Sequence, residues 1–142
     1  GVDQFQVPGA EVPNVVGLNF PEDKSGFLAG ALAAMMTESG KIGAVLGTDA
    51  VPPVWRFGEG FRAGAAYIDP EVEVTTVYHN DVGFDKTFTD PEWGKTTAIS
   101  MIDKGVDIVF GGRQDRQWSA SGRCRKGHAG HRRGHRPVRN LA

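Results

Sequence analysis

The chain is poor in cysteine, in long apolar runs and, over its first 112 residues, in basic side chains. Cys124 is the single cysteine, so an internal disulfide framework is excluded. No apolar run approaches the roughly 18 residues that a membrane-spanning helix requires. The sequence starts at Gly1, with no signal peptide ahead of it, so we expect a processed chain or a fragment. Its 142 residues, 39% of them hydrophobic, suit one globular domain or part of one.

Basic residues are concentrated in the last thirty positions. Residues 1–112 hold seven Lys or Arg against 16 Asp or Glu, whereas residues 113–142 hold nine against one. A basic terminal arm is typical of nucleic-acid-binding proteins, so binding of nucleic acid by this tail is one alternative function. Four residues of the tail have spacings that could bind zinc: Cys124, His128, His131 and His135. No apolar period would hold these side chains in place, so we expect no metal site.

The apolar pattern of residues 14–112 alternates between strands and helices. It predicts strands near 15–20, 41–47, 71–78 and 106–110, and helices near 26–38, 54–68 and 91–104. Ser25 and Asp90 are the predicted N-caps, and Gly40 and Gly105 the predicted stops. The first helix is apolar nearly all round, so we expect it to be buried on more than one side. Strand–helix units in series predict an α/β fold, a parallel sheet flanked by helices on both faces.

A ligand site is expected beyond the carboxyl ends of the parallel strands. Those ends are residues 47–49, the polar loop 79–89, and the pair Gly111 and Gly112. Phe84 and Phe88 lie in the polar loop. An aromatic ring at such a place either packs into the core or stacks on a flat ligand.

Two glycine motifs suggest nucleotide binding only superficially. Residues 58–63 fit the dinucleotide pattern G-x-G-x-x-A, but the strand that must precede it is missing, so helix packing is favoured. Residues 94–96 resemble the end of a P-loop, but Thr89 stands where the motif requires glycine. Residues 1–112 contain one histidine, His79, and no nucleophile constellation. A nucleotide-dependent α/β enzyme built on residues 58–63 is the second alternative function.

Several segments, taken together and in order, resemble the basic membrane protein family, which are substrate-binding proteins of ABC transporters and include purine-nucleoside-binding lipoproteins. The resemblance covers nearly all of residues 1–112. It rests on Phe27–Gly30, Gly40–Gly43, Pro53-Val54 with Phe57, Gly60–Gly64, Phe88–Pro91 with Gly94-Lys95, and Val106–Phe110.

The resemblance implies a fold of the periplasmic-binding-protein type I kind, with two α/β lobes that enclose a ligand. Residues 1–20 then correspond to the end of the first lobe and the hinge crossing, and residues 21–112 to a partial second lobe. The implied ligand is a small solute of nucleoside type. Phe88 is the implied stacking residue, Gly111 and Gly112 give close backbone approach, and Asp3 is a weaker first-lobe candidate.

The resemblance also implies a non-catalytic protein without cofactor, metal or nucleic acid. Its partner would be an ABC permease. The intact protein would be periplasmic or on the cell surface, attached to the membrane only through a lipid anchor that is missing from this chain.

The basic tail, residues 113–142, departs from the family pattern. A shift of one base in the codons of residues 113–118 permits Gly-Lys-Thr-Gly-Asn-Gly, a glycine-rich turn of the family type. The same shift at residues 130–137 permits the family strand Gly-Ile-Gly-Val-Asp-Thr-Asp-Gln. We therefore interpret the tail as a frameshifted translation and expect it to be poorly ordered.

Overall fold

The computed structural model describes Gln6 and residues 9–112 of the chain. Three helices alternate with three strands in this part. They are α1 (Glu22–Met36), β1 (Lys41–Leu46), α2 (Pro52–Ile68), β2 (Glu73–Tyr78), α3 (Pro91–Asp103) and β3 (Ile108–Gly111). The strands form one parallel sheet in the order β2-β1-β3. The predicted α/β fold, with helices on both faces of a parallel sheet, is confirmed.

The central strand β1 divides its side chains between two helical layers, because alternate residues of a strand point to opposite faces. Ile42, Ala44 and Leu46 are buried in the cluster that α1 and α2 form with the sheet. Val45 is buried with Ala98 and Met101 of α3 on the other face. The continuous apolar run of β1 therefore reflects burial on both faces of the sheet.

Helices α1 and α2 cross with their backbones in contact. A Cβ placed on Gly30 would overlap the carbonyl oxygen of Phe61, and one on Gly64 that of Phe27. Gly60, within the G-x-G-x-x-A motif, faces the carbonyl oxygen of Asp23 in the same way. The motif therefore serves helix packing inside α2, as the missing strand predicted. Residues 94–96 likewise lie within α3.

The boundaries of α1 differ from the prediction at both ends. The helix begins at Glu22, so Ser25 lies inside it and Pro21 takes the N-cap position. An acidic residue in the first turn is favoured by the helix dipole, and Glu22 also forms a buried ion pair with Arg56 at 3.1 Å. The helix ends at Met36, and Gly40 adopts its positive φ of 72° later, in the turn into β1.

Two expectations, the burial of the first helix and the strand at residues 15–20, were wrong for the described residues. The outward face of α1 is exposed, with Leu28 at 70% and Met35 at 70%, because α2 and the sheet cover its opposite side. Residues 15–20 contribute only a single bridge, at Leu18, and stay outside the three-stranded sheet. A strand requires a continued run of main-chain pairs with a neighbour, and Leu18 alone makes such a pair in this segment.

Asp107, just before β3, fastens the turn between α1 and β1. Its carboxylate accepts hydrogen bonds from the Thr37 hydroxyl at 2.7 Å and from the amides of Glu38 and Ser39 at 2.7 and 2.8 Å. Partial burial alone would raise the pKa of Asp107, but these hydrogen bonds outweigh it and hold the pKa below its ordinary value of 3.8.

We expect Asp107→Asn to lower the free energy of unfolding by about 1 kcal/mol near neutral pH, because hydrogen bonds to a charged carboxylate are lost from a partly exposed site. A lowered pKa in the folded state gives stability that is present above pH 4 and is lost as the pH falls through the folded value. The difference between the two proteins should therefore shrink below about pH 4. Urea titrations between pH 2.5 and 7 measure it. A difference that does not change with pH would contradict this role of the carboxylate.

Candidate functional site

The carboxyl ends of the three strands meet at one edge of the sheet. The amide of His79, directly after β2, donates to the carbonyl oxygens of Leu46 and Gly47 at the end of β1. The amide of Gly112, directly after β3, donates to Val45 at 3.0 Å. Two of the three segments that the sequence pattern assigned to a ligand site, 79–89 and the glycine pair, are thus joined by main-chain hydrogen bonds to the end of β1, from which the third continues.

The ring of Phe88 lies on the end of β1. A Cβ placed on Gly47 would be closer than 3.0 Å to two carbon atoms of the ring, so the ring rests against the Cα of Gly47. Gly47 is buried, whereas Phe88 is half-buried, so part of the ring remains accessible at the sheet edge. Glycine at position 47 is what allows this close approach.

Phe84 is a second aromatic residue at this edge. Its side chain is 66% exposed, and its ring lies edge-on to that of Phe88, with centroids 6.2 Å apart and planes inclined by 70°. Phe84 is therefore not a core residue. The two rings form an aromatic wall, and sequence reasoning gave the leading role in it to Phe88 alone.

The loop that carries these rings is folded on itself by short hydrogen bonds. The amides of Lys86 and Thr87 both donate to the carbonyl oxygen of Gly83, and the amide of Thr89 donates to Lys86. The Thr89 hydroxyl donates to the carbonyl oxygen of Asp85 at 2.9 Å. A segment that looks like a plain polar loop in the sequence is a series of turns.

The two glycines after the third strand differ in their surroundings. Gly111 belongs to β3, is paired with Val45 and is exposed. Gly112 is half-buried, its amide is used in the sheet, and a Cβ on it would collide with a methyl group of Leu46. Gly112 thus has a packing reason of its own to be glycine, and Gly111 is the more accessible of the two.

His79 is the residue of this edge that sequence reasoning missed. Its side chain is 1% exposed and stacks on Trp93, with ring centroids 3.9 Å apart and planes inclined by 10°. The available signal was its position, as the only histidine of residues 1–112 and directly after a strand. Sequence reasoning examined it only as a possible catalytic group and dismissed it there.

Tyr78, the last residue of β2, points to the other face of the sheet, under α2. Burial raises the pKa of its hydroxyl, and the carboxylates of Glu59 and Asp49 raise it further against the lowering effect of Arg62. The phenol is therefore neutral at physiological pH. It contributes no charge to the site edge.

Asp3, the first-lobe candidate for ligand binding, lies outside the described part of the chain. The four tail residues that the sequence analysis rejected as zinc ligands lie outside it as well: Cys124, His128, His131 and His135. Within Gln6 and residues 9–112, no group of three or more His, Cys, Asp or Glu side chains is arranged to hold a metal ion. None of the helices described there is both long enough and apolar enough to cross a membrane.

Open parallel α/β sheets bind their ligands beyond the carboxyl ends of the strands, which is where the aromatic wall and the accessible glycine backbone lie. A sequence model of the family described as Bmp, PnrA-like ABC transporter substrate-binding proteins, matches residues 4–121. The chain belongs to this family, so the resemblance found in the sequence is confirmed. The family consists of substrate-binding proteins, which are not catalytic.

Curated relatives match this chain at 33–36% sequence identity. Basic membrane protein B of Borrelia garinii subsp. bavariensis is 36% identical over 107 residues, which are 75% of this chain and 28% of that protein. The ABC transporter nucleoside-binding protein BmpA of Lactococcus lactis subsp. cremoris is 33% identical over 97 residues, 68% of this chain and 26% of that protein. The chain therefore spans less than a third of the length of these relatives.

Solved structures agree with the fold class. An ABC transporter solute-binding protein from Aeropyrum pernix K1 is 31% identical to this chain, with a TM-score of 0.63. The match covers 80% of this chain and 31% of the Aeropyrum pernix chain. A solute-binding protein from Conexibacter woesei is 25% identical with a TM-score of 0.56, covering 77% of this chain and 34% of its own. The α/β architecture of residues 9–112 is thus that of part of a solute-binding protein.

Proposed function

We propose that this chain is part of the solute-binding component of an ABC-type importer and that its solute is a purine nucleoside. The observation that carries the proposal is the Phe88 ring, held against Gly47 at the carboxyl edge of the sheet and partly accessible. A flat purine base suits such a ring, because aromatic faces stack in offset contact. One curated relative is named as a nucleoside-binding protein, which supports the same class of ligand.

The proposed binding mode is closure of two lobes on the solute. Residues 21–112 supply part of the second lobe, with Phe88 stacking on the base and Gly111 approaching it with its backbone. Residues 1–20 contribute the end of the first lobe and the hinge crossing, with Asp3 as a candidate to accept hydrogen bonds from ribose hydroxyls or base N–H groups. The solute favours the closed form because only that form lets it touch both lobes.

The proposed setting follows from the family. An extracytoplasmic, membrane-associated binding protein delivers its solute to an ABC permease. Membrane attachment would use a lipid anchor. The basic tail would be a product of frameshifted translation, and the nucleotide sequence across codons 105–142, translated in all frames, tests that part of the proposal directly.

The ligand proposal is tested by calorimetry on the full-length protein, with the reading frame restored after residue 112. We expect adenosine, guanosine or inosine to bind, and ribose alone to bind far more weakly, because it has no base to stack on Phe88. Equal affinity for ribose and for the nucleosides would show that the aromatic wall does not contribute to ligand binding. No binding of any nucleoside would refute the ligand class while leaving membership of the family intact.

A further inference from the structure

His79 is buried at the base of the loop that carries Phe84 and Phe88. One face of its imidazole stacks on the indole of Trp93 at 3.9 Å. Its Nδ1 atom has no hydrogen-bond partner among the described residues. Its Nε2 atom lies 3.6 Å from a carboxylate oxygen of Asp81, which is beyond hydrogen-bond range, and the Asp81 side chain is 78% exposed. The stacking contact, rather than a polar contact of the ring, therefore holds the imidazole.

The stacking partner is itself fixed in place. Trp93 lies in the first turn of α3, and its amide donates at 3.0 Å to the side chain of Asp90, the N-cap of that helix. Trp93 also packs against the core cluster that Val45 and Met101 form below α3. The indole is thus a rigid surface at the end of a capped helix, and His79 rests on it.

The main chain of His79 connects this contact to Phe88. The amide of His79 is bonded to Leu46 and Gly47, and Gly47 is the residue on which the Phe88 ring lies. The hydroxyl of Thr87 shares its single hydrogen between the carbonyl oxygens of Gly83 at 3.3 Å and of His79 at 3.5 Å. Thr87 is 1% exposed and directly precedes Phe88. Both ends of the loop therefore meet at the main chain of His79, the second through the longer branch of that shared hydrogen bond.

We propose that His79, stacked on Trp93 and bonded through its main chain to Gly47 and Thr87, is a positioning residue that holds the 79–89 loop in the shape that presents Phe88 to the solute. The proposal rests on the proposed function for the identity of the solute. It does not depend on that function for the behaviour of the loop, which is a property of the ligand-free protein.

The expected effect follows from the population of the binding-competent loop. When only a fraction of molecules holds the competent conformation, the apparent dissociation constant rises by the inverse of that fraction. Loss of an aromatic stack removes about 0.5–1.5 kcal/mol. We therefore expect His79→Ala to weaken nucleoside binding roughly 2- to 12-fold, at 1.4 kcal/mol per factor of ten.

His79→Phe is the conservative variant. A benzene ring keeps the flat face that stacks on Trp93 and removes the unpartnered Nδ1 atom, whose burial is unfavourable. We expect this variant to bind nucleoside within about twofold of the original protein. Asp81→Asn, which removes the charge near Nε2 but leaves the stack, should also stay within about twofold, since the Asp81 carboxylate is largely solvated and lies 3.6 Å from Nε2.

Two measurements on the full-length protein, with the reading frame restored after residue 112, test the proposal. Calorimetry with the nucleoside that binds most tightly gives the affinities. Hydrogen exchange without ligand follows the amides of Lys86, Thr87 and Thr89, whose hydrogen bonds close the loop turns. His79→Ala should speed their exchange, whereas His79→Phe should not. Ala33→Gly, which destabilises the core on the opposite face of the sheet, controls for a general loss of stability.

Each outcome decides the matter. Faster loop exchange and weaker binding in His79→Ala, both restored in His79→Phe, support the positioning role. Equal weakening in the Ala and Phe variants would assign the effect to a ring nitrogen and overturn the stacking mechanism. Unchanged loop exchange in His79→Ala, or the same change in Ala33→Gly, would reduce His79 to a packing residue. If the original protein binds no nucleoside, the proposed function fails, and hydrogen exchange alone still decides whether His79 holds the loop.

Discussion

Replacing Gly64 with alanine is expected to destabilise the domain by about 1–3 kcal/mol, although the same change in an ordinary helix interior stabilises it by about 0.5–1 kcal/mol. The new methyl group would overlap the carbonyl oxygen of Phe27 and lie 2.9 Å from the amide nitrogen of Ala31, both in α1. These atoms belong to a backbone, so no rotamer change can relieve the overlap. The two helices must move apart, and the contacts around Phe61 loosen with them.

Gly30→Ala should have an effect of similar size, because its methyl group would overlap the carbonyl oxygen of Phe61 from the other side of the same crossing. The double variant should lose less than the sum of the two single variants, since the first substitution already separates the helices. Ala66→Val, on the exposed side of α2, adds apolar volume without a backbone neighbour. It should cost no more than about 0.7 kcal/mol, the usual range of helix propensity.

Urea unfolding followed by circular dichroism measures all four variants. The free energy should fall through a lower midpoint at an unchanged slope, since the unfolded chain exposes the same surface. A midpoint for Gly64→Ala above that of the original protein would mean that the helices do not touch there.

The elements that could be predicted from the sequence are those with local signals. Asp90, Pro91 and Glu92 mark the start of α3, and the Asp90 side chain does accept from the amide of Trp93. Gly105 ends the helix region with a positive φ of 96°. The continuous apolar run 41–47 predicted β1. A strand that is buried on both faces of a parallel sheet shows such a run instead of alternating apolar and polar residues.

Features that depend on distant neighbours could not be predicted in this way. The apolar pattern of α1 does not say which neighbours cover it, and in the described residues Leu28 and Met35 remain exposed. The early start of α1 depends partly on Arg56, 34 positions away, which pairs with the buried Glu22. Residues 15–20 have strand composition, but a strand needs a partner, and composition carries no information about that partner.

The candidate site also contains both kinds of feature, those that could be predicted from the sequence and those that depend on distant neighbours. The sheet edge could be predicted from topology, since the carboxyl ends of parallel strands meet at one edge. Phe88 came from the family resemblance, and its contact with Gly47 is a tertiary feature that neither residue indicates alone. His79 was missed because its role is a stacking contact with a residue 14 positions away. A search for acids, bases and nucleophiles does not detect such a contact.

Phe88→Ala is expected to weaken nucleoside binding by about 1–3 kcal/mol, which is roughly five- to 150-fold in dissociation constant. The substitution removes the aromatic face proposed to stack on the base and leaves Gly47 uncovered at the end of β1. Phe88→Tyr should keep most of the affinity, because its ring stacks in the same way and the added hydroxyl can be solvated at a partly exposed position. Calorimetry with adenosine, guanosine and inosine gives the comparison.

Phe84→Ala distinguishes the contribution of Phe84 to nucleoside affinity from that of Phe88. Phe84 is 66% exposed and touches Phe88 through an edge contact, so its loss should cost less, within about 0.5–1.5 kcal/mol or two- to 12-fold. Gly47→Ala tests the same ring without removing it. The new methyl group must displace the Phe88 ring, so this variant should weaken binding although both aromatic residues remain in the chain.

An intact fold by circular dichroism with unchanged affinity in Phe88→Ala would assign Phe88 to loop packing. A larger loss in Phe84→Ala than in Phe88→Ala would instead make the exposed ring the stacking partner of the base.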